Sequence, residues 1–378
     1  MTKGHPARLM LRFAFPMLVG NLFQQFYNIV DTLIVGRFVG RDALAAVGSA
    51  FAIMTLVNSL LIGLSMGAAT LFSQQFGAKD YKKLKTTMFL SCCFIMGAAL
   101  ILSISACLFT DNIITLYQMP KETVGYARDY LLCIFAGLPF VAVYNLSANV
   151  LRSMGNSKSP LYFLIAACFI NIILDILFVI PLKMEVFGAA LATLIAQLIS
   201  AVLCAVYTLR KIRFLQFCKA DLMYDRSLFL KIARFSSLTG FQQSIMNLGI
   251  VMIQGLVNTF GPVLMAAFAA GVKIDAFAYM PVQDFVNAFS TFAAQNTGAG
   301  EYRRVRDGLR SALISSALFS VAVSIAVFVF ARPLIGIFID KADVDVINIG
   351  ASYLRIEGAF YILIGFLFLL YGLYRGLG

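Results

Sequence analysis

The sequence has no tryptophan and a single histidine, His5. One histidine near the start leaves no Ser–His pairing and no HExxH zinc motif. No glycine-rich loop precedes a lysine. The usual signatures of hydrolases, metalloproteases and nucleotide-binding enzymes are therefore missing. Charge is also scarce. Asp, Glu, Lys and Arg make up 13% of the 378 residues, against about 25% in soluble domains. What fills the chain instead is apolar: 61% hydrophobic residues and a mean hydropathy of +0.87. That balance excludes a disordered, collagen-like or secreted disulfide-rich chain and points to many membrane spans. Without tryptophan, an interfacial aromatic belt must come from 15 Tyr and 35 Phe.

The formal charge is +12. On a soluble protein that would suggest nucleic acid. Here the basic residues sit in short clusters between apolar runs, the pattern of loops beside an anionic membrane surface, so no nucleic-acid partner is expected. The seven cysteines, Cys92, Cys93, Cys107, Cys133, Cys168, Cys204 and Cys218, fall mostly within apolar runs and lack zinc-ligand spacing. They read as small buried hydrophobes. No metal and no cofactor is expected. The first apolar run, 13–35, contains Asn21, Gln24, Gln25, Asn28 and Asp31 and is too long for a signal core. It reads as a retained span.

A span needs roughly 20 mostly apolar residues. Ten candidates follow: 13–36, 44–72, 88–110, 130–150, 160–182, 187–209, 236–260, 264–296, 311–331 and 353–374. The basic clusters alternate with them. Lys3, Arg8 and Arg12 precede the first span, and Lys79, Lys82, Lys83 and Lys85 follow the second. Arg152 and Lys158 follow the fourth. Arg210, Lys211, Arg213, Lys219, Arg226, Lys231 and Arg234 lie between the sixth and seventh. Arg303, Arg304, Arg306 and Arg310 follow the eighth, and Arg375 the tenth. These place 21 of 30 basic residues on one side. By the positive-inside rule that side, with the N-terminus, is cytoplasmic, and the membrane is the cell membrane.

The chain also repeats. QQFGAKDYKKLK at 74–85 returns as QNTGAGEYRRVR at 295–306, an offset of 221 that also joins Gly40 to Gly261. Arg152 and Gly155 match Arg375 and Gly378, and Phe23-Gln24-Gln25 echoes Phe241-Gln242-Gln243. An even helix number per copy keeps both copies in one orientation, related by a pseudo-two-fold along the membrane normal. The expected fold is an all-α integral membrane protein with two six-helix lobes. The first lobe is 1–213, a cytoplasmic linker covers 214–234, and the second lobe is 235–378, four helices of a truncated copy.

Polar residues inside spans are costly and mark function or helix pairing. On the first span Asn21, Gln25, Asn28 and Thr32 share a face, flanked by Gln24 and Asp31. On the fifth, Asn171 and Asp175 share a face at i, i+4, and the sixth carries Thr193. At about 1.5 Å per residue, Asp31, Asp175 and Thr193 all lie some 8–10 Å below the outer ends of their helices. Two carboxylates, an amide and a hydroxyl at one depth suit a cation or a proton. The alternative is separate pairing, for instance Asp31 with Arg37 or Arg41. The eighth span adds Lys273, Asp275, Gln283, Asp284 and Asn287; the seventh has Gln243, Asn247, Gln254 and Asn258 but no acid. For Asp284 a partner in its own lobe and a cavity role weigh equally, and for the amides helix–helix bonding is as good a reading as a cavity wall. Pro16 and Pro139 interrupt spans and permit either a bend or a static kink.

Several stretches resemble the multidrug and toxic compound extrusion (MATE) family of prokaryotic transporters. They are Asp31-Thr32 with Gly36, Gln75-Phe76-Gly77-Ala78, Arg152-Ser153-Met154-Gly155, Asn171 through Asp175, and Gly188 through Thr193. The resemblance runs from Leu11 to Gly378. It implies twelve helices in two lobes, so two would follow Gly378. It also implies a central cavity and export of amphipathic, often cationic, compounds against inward H⁺ or Na⁺ by alternating access. The coupling ion would be held by Asp31, Asn171, Asp175 and Thr193. The substrate would meet Asn21, Gln24, Gln25, Asn28, Gln243, Asn247 and Asp284, and Pro16 would be a hinge. Small organic substrates and the bilayer are the expected partners of a monomer. The runner-up within transport is a flippase for a lipid-linked oligosaccharide or lipid. A membrane-embedded enzyme or a passive structural protein is the alternative from another class.

Overall fold

The computed structural model describes residues 1–117, 119–211, 224–339 and 343–378, and these are almost wholly helical. The chain order is α1 (Pro6–Phe38), α2 (Arg41–Gly77), α3 (Tyr81–Leu108), α4 (Thr110–Leu116), α5 (Lys121–Ser153) and α6 (Lys158–Val179). It continues with α7 (Glu185–Lys211), α8 (Arg226–Asn258), α9 (Pro262–Gly298), α10 (Tyr302–Ile335), α11 (Val344–Ala359) and α12 (Tyr361–Leu377). Arg213, Lys219, Cys218 and the first part of the expected linker, 214–223, lie outside the described residues, as do the side chains of Gln254 and Asn258.

Among the described residues seven helices are long and apolar enough to cross a membrane: α2, α3, α5, α6, α7, α9 and α10. The pair α11 and α12 makes an eighth if counted as one span, bent by 49°. The expected span 353–374 is thus not one straight helix: it straddles the break at Phe360. The first and seventh expected spans are α1 and α8. Both are 33 residues long, but their amides and basic ends make them less apolar than the rest. Most helices outrun the apolar stretch read from the sequence, because basic and polar residues continue the helix past the hydrocarbon layer.

The two copies share their punctuation. α2 and α9 are each 37 residues long, and each follows a glycine with positive φ, 129° at Gly40 and 93° at Gly261. A side chain is disfavoured there, which explains why glycine recurs at the matched position. After α2 the left-handed residue is Lys79 (φ 59°); after α9 it is Gly300 (φ 75°). The matched Gly77 and Gly298 instead close their helices. Asp80 then caps α3 by accepting from the Lys83 backbone N–H at 3.0 Å.

The chain folds as two compact units. Unit 1 is Met1–Leu18 with Leu248–Gly378; unit 2 is Val19–Asn247. The expected lobe limits were 1–213 and 235–378; here α1 and α8 each contribute to both units. Unit 2 is built around Leu61 and Phe72 of α2, Leu84 and Ile95 of α3, and Leu131 and Phe135 of α5, all fully buried. In unit 1, Phe289 and Phe292 of α9 pack with Met10 and Phe13 of α1, Ala312 of α10 and Leu369 of α12. Arg304 holds the chain start there, donating to the carbonyls of Met1 (3.4 Å) and Gly4 (3.0 Å).

Glycine permits a close crossing of α2 and α8 in unit 2. A Cβ at Gly67 of α2 would lie 2.4 Å from the Phe235 carbonyl oxygen of α8, and one at Gly63 would lie 2.6 Å from the Gly240 Cα. This Gly-x-x-x-Gly pair lets two backbones touch where lipid supplies no hydrophobic drive. Of the cysteines, Cys133, Cys168 and Cys204 are buried as expected, whereas Cys92 and Cys93 are exposed on α3. Their thiols belong to its outward apolar face.

Candidate functional site

Four polar side chains of unit 2 come from three helices. α1 supplies Asp31, α6 supplies Asn171 and Asp175, and α7 supplies Thr193. All four are buried, with exposures of 6%, 1%, 0% and 7% respectively. The Asn171 amide Nδ2 donates to the Thr193 hydroxyl at 3.3 Å. That bond orients the amide so that Asn171 Oδ1 turns the other way. It has no donor, and neither do Asp31 Oδ1 or either oxygen of Asp175. Asp31 and Asp175 are close enough for their charges to act on one another. Arg37 and Arg41 are exposed, and no ion pair joins them to Asp31 among the described residues.

Leaving buried acceptors without donors costs about 1–3 kcal/mol each, and more for a charged group. Four such oxygens in one place form an acceptor-rich pocket wall, suited to a bare cation or to protons. The sequence reading had not included two tyrosines that border them. Tyr27 sits one turn before Asp31 on α1, and Tyr130 comes from α5; both phenols feel the charges of Asp31 and Asp175. The i, i+4 spacing of Tyr27 and Asp31 was a usable signal. Tyr130 had none, since only folding brings α5 beside α1.

The amide residues are placed as follows. On α1, Asn28 Nδ2 donates to Gln25 Oε1 at 3.4 Å, and both are half-buried, as is Asn21; Gln24 is exposed. On α8, Asn247 Nδ2 donates to the Gln243 carbonyl at 3.0 Å, and both side chains are half-buried. These bonds stay within one helix. Helix 1 also packs on α6, with Phe23 and Phe169 ring centroids 6.4 Å apart. Pro16 lies inside a continuous α1, two residues before the change of unit at Leu18–Val19. Asp284 is in unit 1, only 3% exposed. Lys273 does not share its surroundings: it is exposed, 5.6 Å over the Phe338 ring.

Long apolar helices that enclose carboxyls without cationic partners define a class, the polytopic membrane transporters. The MatE family model matches residues 16–177 and 237–378, and the chain belongs to that family, whose members are transporters and not enzymes. The chain is 28% identical over 343 residues to "Probable multidrug resistance protein YoeA" of Bacillus subtilis (strain 168), covering 89% of this chain and 74% of the relative. It is 26% identical to the FAD transporter of Shewanella oneidensis, over 88% of this chain and 74% of the relative. Its fold matches a solved outward-facing multidrug resistance MATE transporter with a TM-score of 0.92 at 21% identity, over 99% of this chain and 83% of that one.

Proposed function

We propose that this transporter exports amphipathic, often cationic, organic compounds in exchange for an inward H⁺ or Na⁺. The observation that carries the reading is the set of four unpartnered buried oxygens on Asp31, Asn171 and Asp175. Asp31 and Asp175 supply negative charge. Asn171 supplies a neutral oxygen, and Thr193 holds the amide in register. A cation or proton taken up there cancels the repulsion between the two carboxylates, so the loaded and unloaded proteins differ in energy. A coupled change of conformation requires such a difference. Alternating access would follow, with α1 bending at Pro16 as it takes up or releases the ion.

Asn21, Gln24, Gln25, Asn28, Gln243 and Asn247 offer hydrogen-bonding groups to a substrate. Relatives named for multidrug resistance and for FAD transport support a small organic cargo. The chain works as a monomer in the cell membrane with its N-terminus in the cytoplasm. Inverted membrane vesicles test the reading. A cationic dye should accumulate inside when an H⁺ or Na⁺ gradient is imposed, and not when the gradient is collapsed. No gradient-driven accumulation, together with translocation of a labelled lipid, would replace export with lipid flipping.

A further inference from the structure

Unit 1 contains a second carboxyl pair of its own. Asp275 of α9 is 6% exposed. Its Oδ1 accepts a hydrogen bond from the Tyr361 phenol of α12. Glu357 and Tyr353, both on α11, reach Asp275 with their side chains, and Tyr353 also reaches Glu357. Asp275 Oδ2 and Glu357 Oε2 are buried with no donor. Tyr353, Glu357 and Tyr361 recur every fourth residue, so they share one face despite the break at Phe360. Gly271, one turn before Asp275, leaves room for this: a Cβ there would lie 2.5 Å from the Tyr353 ring.

The groups around the pair supply no cation. Lys273 is exposed over Phe338. Arg355 turns to α10, where its Nε donates to the Phe328 carbonyl at 3.3 Å and its guanidinium lies 5.3 Å from the Phe328 ring centre. Tyr279 is the remaining titratable group that feels Asp275. From α10, the Ser324 hydroxyl donates to the Gly358 carbonyl at 2.6 Å. Two adjacent carboxylates without a counter-ion repel. One proton between them turns that repulsion into a hydrogen bond and satisfies both orphaned oxygens.

We propose that Asp275 and Glu357 form a proton-binding site that holds one exchangeable proton between the two carboxyls. Tyr361 positions Asp275 by donating to Oδ1, leaving Oδ2 to face Glu357. That bond takes one lone pair of Oδ1 and leaves Oδ2 for the proton shared with Glu357. The proposal stands whether or not Asp31 and Asp175 couple transport.

Infrared difference spectra of the purified protein, between alkaline and neutral buffer, test it. The wild type should show a protonated-carboxyl band that is absent from both Asp275→Asn and Glu357→Gln. Indicator-dye titration should count one proton fewer per chain in each. Tyr361→Phe should keep the band but displace it. Glu357→Gln retains the shape and a hydrogen bond, and a thermal melt confirms that it is folded. If Asp275→Asn does not fold, the Glu357→Gln result decides. A band and proton count unchanged in Glu357→Gln would overturn the proposal. So would loss of the wild-type band on adding Na⁺ at constant pH, which would assign the site to Na⁺.

Discussion

The two buried carboxyl pairs sit in different chemical company. In unit 2, Asp31 and Asp175 have an amide and a hydroxyl nearby whose mutual bond leaves the amide oxygen without a donor. Phenols border both pairs, Tyr27 and Tyr130 in unit 2, but in unit 1 that of Tyr361 donates directly to Asp275. The first surrounding is short of positive charge in any form. The second lacks a single proton. The pairs are not copies of one another either. The 221-residue offset sets Asp275 against Met54 and Glu357 against Ala136, while the Phe-Gln-Gln echo sets Asp31 against Gly249. At these three positions a buried acid in one half faces a non-polar residue in the other, whereas acids in the turns do match, as Asp80 does with Glu301. A duplicated helical frame therefore sets where helices start and turn, charged turn residues included, whereas Asp31, Asp275 and Glu357 inside the helices have no acidic counterpart in the other copy.

The largest expected effect breaks that comparison on the unit 2 side. Asp31→Asn and Asp175→Asn should each abolish gradient-driven dye accumulation in inverted vesicles while the protein still inserts at normal levels. Glu357→Gln should leave part of it. Equal loss in all three would make the two pairs one functional system. Next in size is the helix crossing. Gly67→Leu must push a side chain into the Phe235 carbonyl, an overpacking cost of about 1–3 kcal/mol or more. Its thermal melt should fall well below that of Gly48→Ala, where nothing lies within 4 Å of the added Cβ.

Smaller effects sharpen the comparison. Asn171→Ala removes one neutral oxygen and the bond to Thr193. A net hydrogen bond is worth about 0.5–1.5 kcal/mol, so the apparent affinity for the coupling ion should weaken roughly two- to tenfold. The smallest effect concerns the turns. Lys79 occupies a left-handed conformation that glycine serves in the other copy. Lys79→Gly should stabilise by a few tenths to about 1 kcal/mol, because the relief of strain outweighs the added chain entropy. Gly300→Lys should do the reverse. Equal melts for both variants would show that the repeat's turns are not under this constraint.

Most of the helical frame was legible in the residues. Apolar runs located the spans, and the repeated QQFGAKDYKKLK-type segment located the turns after α2 and α9. The bend at Phe360 was not, since Gly358 beside it is no different from other glycines within the spans. Nor was the passage of α1 and α8 from one unit to the other. A helix records which of its faces is apolar but not which neighbour covers each turn. At the site, Asp31, Asn171, Asp175 and Thr193 were readable because polar residues stand out in apolar runs. The shared depth read for Asp31, Asp175 and Thr193 did not name the Asn171–Thr193 bond, which only the packing of α6 on α7 makes. Glu357 was missed because it lies near a span end, where an acid is unremarkable until α9 places Asp275 against it.

The central claim is that the coupling ion binds at the unpartnered oxygens of Asp31, Asn171 and Asp175. Ion binding measured on the purified protein, without any transport, tests it most directly. Calorimetric titration with Na⁺ at fixed pH, paired with indicator-dye counting of protons, should find one ion bound by the wild type that is absent from both Asp31→Asn and Asp175→Asn. Wild-type binding in both variants, with each still folded, would contradict the account.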